Sequence, residues 1–178
     1  MAQHDEDPLE ARLSRIRLVA LDVDGVLTDG RVVYVGEEEL QSFDVQDGFA
    51  LSRLRKAGLA VAWITGRGCR ATERRAAELG VDELHVKAGP KDVILAELQV
   101  RLDIPPEATL AMGDDLPDLR MARCAGLLAA PANARPEVRE RADLVTAAAG
   151  GRGAVRELCE RLLAARGDWD PMVTDYSG

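Results

Sequence analysis

Apolar positions along this chain gather into four short, nearly unbroken runs. They are IRLVALD (16–22), LAVAWIT (59–65), TLAMGD (109–114) and AGLLAAP (125–131). Each is too short for a buried helix, is bounded by turn-forming residues, and carries no polar alternation. That pattern predicts strands covered on both faces, as in a parallel sheet. A fifth stretch, ADLVT (142–146), predicts a short edge strand. Between the runs the apolar residues return at helical spacing. GFALSRLRKAG (48–58) and CRATERRAAELG (69–80) each end in a glycine that reads as a helix stop. PKDVILAELQVRLD (90–103) opens with a proline suited to a first helical position. GAVRELCERLLAARG (153–167) supplies a last amphipathic helix. Strand and helix in alternation predict an α/β fold: a Rossmann-like, three-layer α/β/α arrangement around a central parallel sheet.

One segment departs from the alternation. GRVVYVGEEELQSFDVQDG (30–48) holds two β-prone stretches, RVVYV and LQSFDV, around GEEE. It predicts a β-hairpin inserted after the first strand. In an open α/β sheet the ligand crevice lies at the carboxyl ends of the strands, so the hairpin should rise from its rim. The connection leaves no room for a cap domain. The 178 residues read as one domain, with residues 1–12 a flexible lead-in and 167–178 a flexible tail.

Composition narrows the function classes. A net charge of -8, with basic residues interleaved among acidic ones, argues against a nucleic-acid surface, and only 3% aromatic residues argue against base stacking. Three widely spaced cysteines, Cys69, Cys124 and Cys159, form no CxxC pair and suit a reducing, cytoplasmic setting. The first residues, MAQHDEDPLEARLSRIR, lack the apolar stretch of a secretory signal. No apolar run approaches the roughly 20 residues of a membrane span.

The chemistry gathers at the strand ends. The first run ends in Asp22-Val23-Asp24, the second in Thr65-Gly66-Arg67-Gly68, and the third in Gly113-Asp114-Asp115-Leu116-Pro117-Asp118; Lys91 opens a helix between the last two. Two carboxylates so close repel each other and need compensating charge, for which a divalent cation is suited. A hydroxyl, backbone N–H groups and an ammonium could cradle phosphoryl oxygens. One Asp could attack phosphorus while the second manages protons.

DVDGVLTDG, followed in order by ITGR, Lys91 and GDDLPD, resembles the haloacid dehalogenase superfamily of phosphatases. The hairpin GEEELQSFDVQDG and the later AGGRGAVRE are similar to its capless branch acting on 3-deoxy-D-manno-octulosonate 8-phosphate in lipopolysaccharide biosynthesis. The resemblance covers about residues 17–163. It implies Mg²⁺ as cofactor, Asp22 as nucleophile, and Asp24 as acid/base that also lends its main-chain carbonyl to the metal. It implies Asp114 as a direct ligand, with Asp115 and Asp118 near it or linked through water. Thr65, Gly66 and Lys91 would hold the phosphate; Arg67 and Arg152 would face the sugar-acid end. It also implies a homotetramer built through the hairpins into a central sheet, with a neighbour covering the site. A nine-carbon, sialic-acid-type 9-phosphate is the alternative substrate, and a catalytically silent oligomerisation domain is a third reading.

Blander roles compete at several positions. Asp22 and Asp24 could be turn residues, Thr65 a cap, and Asp115 and Asp118 acids complementing a helix dipole. Arg67 and Arg152 could make surface ion pairs. Asp47 could face the site or cap a helix. Lys91 is unfavourable at a helix start unless an anion stands nearby, which favours a functional role. Cys69 has no histidine beside it and does not read as a thiol nucleophile; His4 reads as part of the lead-in and His85 as structural.

Overall fold

The computed structural model describes residues 8–177. In chain order the elements are α1 (Leu9–Leu13), β1 (Leu18–Leu21), β2 (Val33–Val35), β3 (Glu38–Leu40), α2 (Val45–Lys56), β4 (Ala60–Ile64), α3 (Arg70–Leu79), β5 (Glu83–His85), α4 (Lys91–Leu102), β6 (Thr109–Met112), β7 (Leu127–Ala130), α5 (Pro136–Arg139), β8 (Leu144–Val145), α6 (Ala154–Ala165) and α7 (Trp169–Ser177). Short 3₁₀ segments cover Pro106–Ala108 and Leu116–Arg123.

Six strands form one sheet in the order β5-β4-β1-β6-β7-β8, and every pairing is parallel. β1 is central: Leu18 registers with Ala60 on one side and Thr109 on the other. Period-two side chains explain the unbroken apolar runs. Val19, Leu21, Val61, Trp63 and Met112 pack on one face with Leu51 and Leu54 of α2 and Leu158 and Leu162 of α6. Leu18, Ala20, Ala62, Ile64 and Ala111 pack on the other with Leu95 and Leu98 of α4, Met121 and Val138. The three-layer reading holds, with no cap between β1 and α2.

The hairpin is present but shorter than its pattern. β2 pairs antiparallel with β3, Val33 opposite Leu40 and Val35 opposite Glu38, so the turn falls at Gly36-Glu37 and the return strand is EEL rather than LQSFDV. Of the β-prone SFDV stretch, Ser42 and Phe43 lie in the connecting loop, Asp44 caps the next helix and Val45 opens it. Asp44 accepts the Gln46 N–H at 2.6 Å, a cap that starts α2 at Val45 instead of at Gly48. Phe43 stacks on Trp63, centroids 6.1 Å apart.

Three further elements were not anticipated. β5 is only three residues long and half-buried, which leaves no apolar run to notice. The GDDLPD motif runs on into the 3₁₀ segment, and α5 is a single turn opened by Pro136. The end segments expected to be flexible both carry helix: α1 overlaps 1–12, and α7 fills most of 167–178. Residues 1–7 of the lead-in, with His4, lie outside the described residues.

The two helix-bearing faces depend on large buried aliphatic residues. Leu54→Ala, at a fully buried position of α2, is expected to cost about 2–5 kcal/mol. Urea unfolding should show this as a lower midpoint at unchanged slope.

Candidate active site

Three loops leave the sheet at one edge, each one residue past its ladder. The Asp22 N–H donates to the Met112 carbonyl at 3.0 Å, Thr65 N–H to His85 at 2.9 Å, and Gly113 N–H to Ala129 at 3.2 Å. The next side chains therefore emerge together at the carboxyl ends of β1, β4 and β6, as the strand-end reading required.

Lys91 joins two of the loops. Its Nζ donates to Asp22 Oδ1 and to Asp118 Oδ1, both at 2.6 Å, and all three side chains are buried. The other oxygen of Asp118 accepts the N–H groups of Asp114 and Asp115, at 3.0 and 3.2 Å. Asp118 is thus an integral part of the group, holding the shape of the GDD loop while it shares the lysine. Asp115 is exposed, and its Oδ1 caps the 3₁₀ segment by accepting the Leu116 N–H at 2.8 Å.

Oxygens of Asp22, Asp114 and Asp118 lie within 4.8 Å of one another, and this is the one such acidic group among the described residues. Burial, and then the Asp118 charge, push the Asp22 carboxyl up to about 7 against the pull of Lys91. Burial, and then Asp118 and Asp115, push Asp114 up to about 7. Burial alone would lower Lys91, but the charges of Asp22 and Asp118 outweigh it and raise its pKa. One ammonium among three carboxylates leaves excess negative charge in a partly dry pocket. An all-oxygen, anionic donor set of this kind fits a hard divalent cation.

Two glycines make the convergence possible. Gly25 has φ +96°, and a Cβ there would lie 2.1 Å from Asp114 Oδ2, in the space the carboxylate occupies. A Cβ on Gly150 would lie 1.8 Å from the Gly25 carbonyl oxygen. The AGGRG loop is therefore pressed against the β1 turn, where Gly151 N–H also donates to the Val26 carbonyl at 3.0 Å.

The remaining expected residues spread over the rim. Asp24 is outside the acidic group: its carboxylate turns to Gln41 Nε2 (2.9 Å) and the Thr65 hydroxyl (3.1 Å). Thr65 is buried and also accepts the Arg67 N–H at 3.0 Å; Gly66 is exposed with open space above it. Arg67 reaches back to the hairpin, with Nη2 2.9 Å from Glu39 Oε2. Arg152 is exposed beside a cavity of about 350 Å³, lined also by Asp29, Ser42, Asp44 and Gly151. Asp47 is not brought to the site. Its Oδ1 accepts the Arg156 N–H at 2.6 Å and so caps α6, while its Oδ2 is buried without a partner. Of the two roles considered for it, the cap is the one observed.

A scan of family models matches residues 83–158 to the haloacid dehalogenase-like hydrolases. The 3-deoxy-D-manno-octulosonate 8-phosphate phosphatase KdsC of Escherichia coli K12 is 44% identical over 162 residues, 90% of this chain and 86% of that protein. The chain belongs to the 3-deoxy-D-manno-octulosonate 8-phosphate phosphatase family. The phosphatase of this family from Moraxella catarrhalis, solved with magnesium, phosphate and KDO, is 38% identical, with a TM-score of 0.91 over 94% of this chain and 97% of that one. The cobalt-bound family member from Haemophilus influenzae is 34% identical, with a TM-score of 0.86 over 89% and 93%.

Within this octulosonate phosphatase fold, two residues of the site escaped the sequence reading. Asn133 donates to the Gly25 carbonyl at 3.1 Å and accepts the Gly150 N–H at 2.6 Å, pinning the two loops together. It follows the end of β7 in AAPAN, a fourth strand end whose polar residue was the available signal. Gln41 lies one residue past β3, where hairpin alternation gives no reason to single it out.

Two predictions follow from these environments. Lys91→Met leaves two buried carboxylates without their counter-charge, and a loss of about 3–5 kcal/mol is expected in chemical denaturation at pH 8. Asp47 is different in sign from a paired surface acid: burial, against the Arg156 N–H, raises its folded-state pKa from 3.8 to about 6. The folded state then holds the proton more tightly than the unfolded chain between about pH 4 and 6. Ionised Asp47 costs stability above pH 6, and the cost fades as pH falls toward 4. Asp47→Asn keeps the acceptor for α6, so its melting temperature should exceed that of the parent above pH 6 and converge with it near pH 4. A pH-independent difference would contradict this.

Proposed function

We propose that this chain hydrolyses 3-deoxy-D-manno-octulosonate 8-phosphate to the free sugar acid and inorganic phosphate, an Mg²⁺-dependent step of lipopolysaccharide biosynthesis. The observation that carries the reading is the Asp22–Lys91–Asp118 group, with Asp114 beside it, at the strand ends of a chain 44% identical to an enzyme of that name. Residues 1–178 act as a single phosphatase domain.

Asp22 attacks phosphorus through a carboxylate oxygen, the bond from phosphorus to the sugar O8 breaks, and Asp24 gives its proton to that oxygen. Asp24 then takes a proton from water, whose oxygen attacks the aspartyl-phosphate and frees both phosphate and Asp22. Asp22, the Asp24 main-chain carbonyl and Asp114 would hold Mg²⁺, with Asp115 and Asp118 near it; the ion would supply positive charge against the phosphoryl oxygens. Thr65, Gly66 and Lys91 bind the remaining phosphoryl oxygens. Arg67 and Arg152 take the sugar-acid end in this proposal. Lys91 starts near neutral pH as an ammonium, since the two acids beside it hold its proton.

A homotetramer through the hairpins is part of the proposal. Val33, Tyr34 and Val35 of β2 are 48%, 67% and 60% exposed, an apolar strand on a two-stranded sheet with unpaired edges. A cytoplasmic location is proposed from the three free thiols, and none of the described helices is long and apolar enough to cross a membrane.

Purified protein with Mg²⁺ should release phosphate from the octulosonate 8-phosphate, lose that activity in chelator, and lose it by at least about 10³-fold in Asp22→Asn. Release from a sialic acid 9-phosphate alone would move the substrate to nine carbons. Full activity in Asp22→Asn would defeat the mechanism.

A further inference from the structure

The acid assigned to proton transfer is the one acid of the β1 turn held by neutral groups on both oxygens. Gln41 Nε2 donates to Asp24 Oδ1, and the Thr65 hydroxyl donates to Oδ2. The Gln41 donor is not free to turn away. The Gln41 Oε1 accepts the hydroxyl of Thr72, a residue of α3 only 1% exposed, which distinguishes the two ends of the amide and aims its NH₂ at Asp24. The Thr65 oxygen accepts the Arg67 N–H, which leaves its own hydrogen for Asp24 or for a phosphoryl oxygen bound beside it. The hairpin segment carrying Gln41 is tied down two residues earlier, at Glu39: its Oε2 takes the Arg67 guanidinium, and its carbonyl takes the Cys69 thiol at 3.4 Å.

We infer that Gln41 is a positioning residue for the phosphoryl-transfer step, holding the Asp24 carboxyl at the angle from which it reaches the leaving oxygen. The inference deepens the proposed phosphatase reading and rests on it. A proton donor is effective only within hydrogen-bond reach of the atom it protonates. A free aspartate side chain would sample other rotamers. Gln41 touches no reacting atom; it acts through Asp24. The device also makes the hairpin, otherwise an exposed appendage, part of the catalytic geometry.

The chemistry supplies a specific test. When Asp22 bonds to phosphorus, a departing sugar oxygen needs the Asp24 proton, whereas p-nitrophenolate leaves stably as an anion. The ratio kcat/KM covers the steps through formation of the aspartyl-phosphate, so it isolates this half-reaction. Gln41→Met keeps the side-chain volume without the donor. It should lower kcat/KM for the octulosonate 8-phosphate by about 10- to 100-fold, part of the usual contribution of an acid catalyst. With p-nitrophenyl phosphate the loss should stay below about threefold on the same grounds. Thr72→Val, which leaves Gln41 present but unanchored, should show a smaller loss of the same selectivity, and the double variant should be no worse than Gln41→Met. Equal losses on both substrates, or none on either, would overturn the inference. A parent protein inactive on the sugar acid but active on other phosphomonoesters would overturn the substrate reading alone. The same ratio, read with an alkyl phosphate that the parent accepts, would then decide the role of Gln41.

Discussion

A single ammonium placed between two buried carboxylates is the interaction on which this structure turns. Asp22 comes from the first strand, Asp118 from a 3₁₀ turn after β6, and Lys91 from the start of a helix between them in sequence. Removing charge from water is costly, and the cost is tolerable only when opposite charges and hydrogen bonds meet it at close range. Lys91 answers two carboxylates at once and is in turn kept protonated by them. Its place at the first turn of α4, poor for a cation by the helix dipole, becomes favourable because the acids in front of it outweigh that dipole.

The parallel sheet is what makes such a meeting routine. Its strands all point one way, so their ends share one edge, and the polar residues that follow have nowhere else to go. The limiting factor is then space. Gly25 yields room to the Asp114 carboxylate, Gly150 lies against the Gly25 carbonyl, and Asn133 hydrogen-bonds both loops. The site is assembled from backbone fitted to backbone, with side chains filling what the glycines leave open.

The sheet and the strand-end places of Asp22 and Asp114 were legible in the sequence because each rests on a strong local rule, whereas the trio that the fold gathers takes Asp118 in place of Asp24. Strands buried on both faces have to be apolar throughout, and carboxylates set directly after them emerge at the shared carboxyl edge. The return strand of the hairpin was misjudged because the alternation in LQSFDV competes with the Asp44 cap, which starts α2 at Val45 and leaves Gln41, Ser42 and Phe43 as a connection. β5 was missed because three half-buried residues at a sheet edge leave no pattern. Asp47 could be read either way from sequence. Its buried bond to the Arg156 N–H is a contact across 109 positions that no local window contains. Gln41 was invisible for the same reason, since its partners lie far along the chain, whereas Asn133 carried a signal in its place just after β7.

The position of β1 has a dynamic consequence. It is laddered on both sides through Leu18–Leu21, with both sheet faces covered, so its amides should open only when the whole domain unfolds. Two residues later the ladder has ended, and the turn is held by main-chain bonds onto the Val23 and Val26 carbonyls and by side-chain contacts. The site thus spans a steep gradient in local opening free energy. Asp22 is anchored at the slow-exchanging end, and Asp24 lies past the ladder, where side-chain bonds from Gln41 and Thr65 hold its carboxyl.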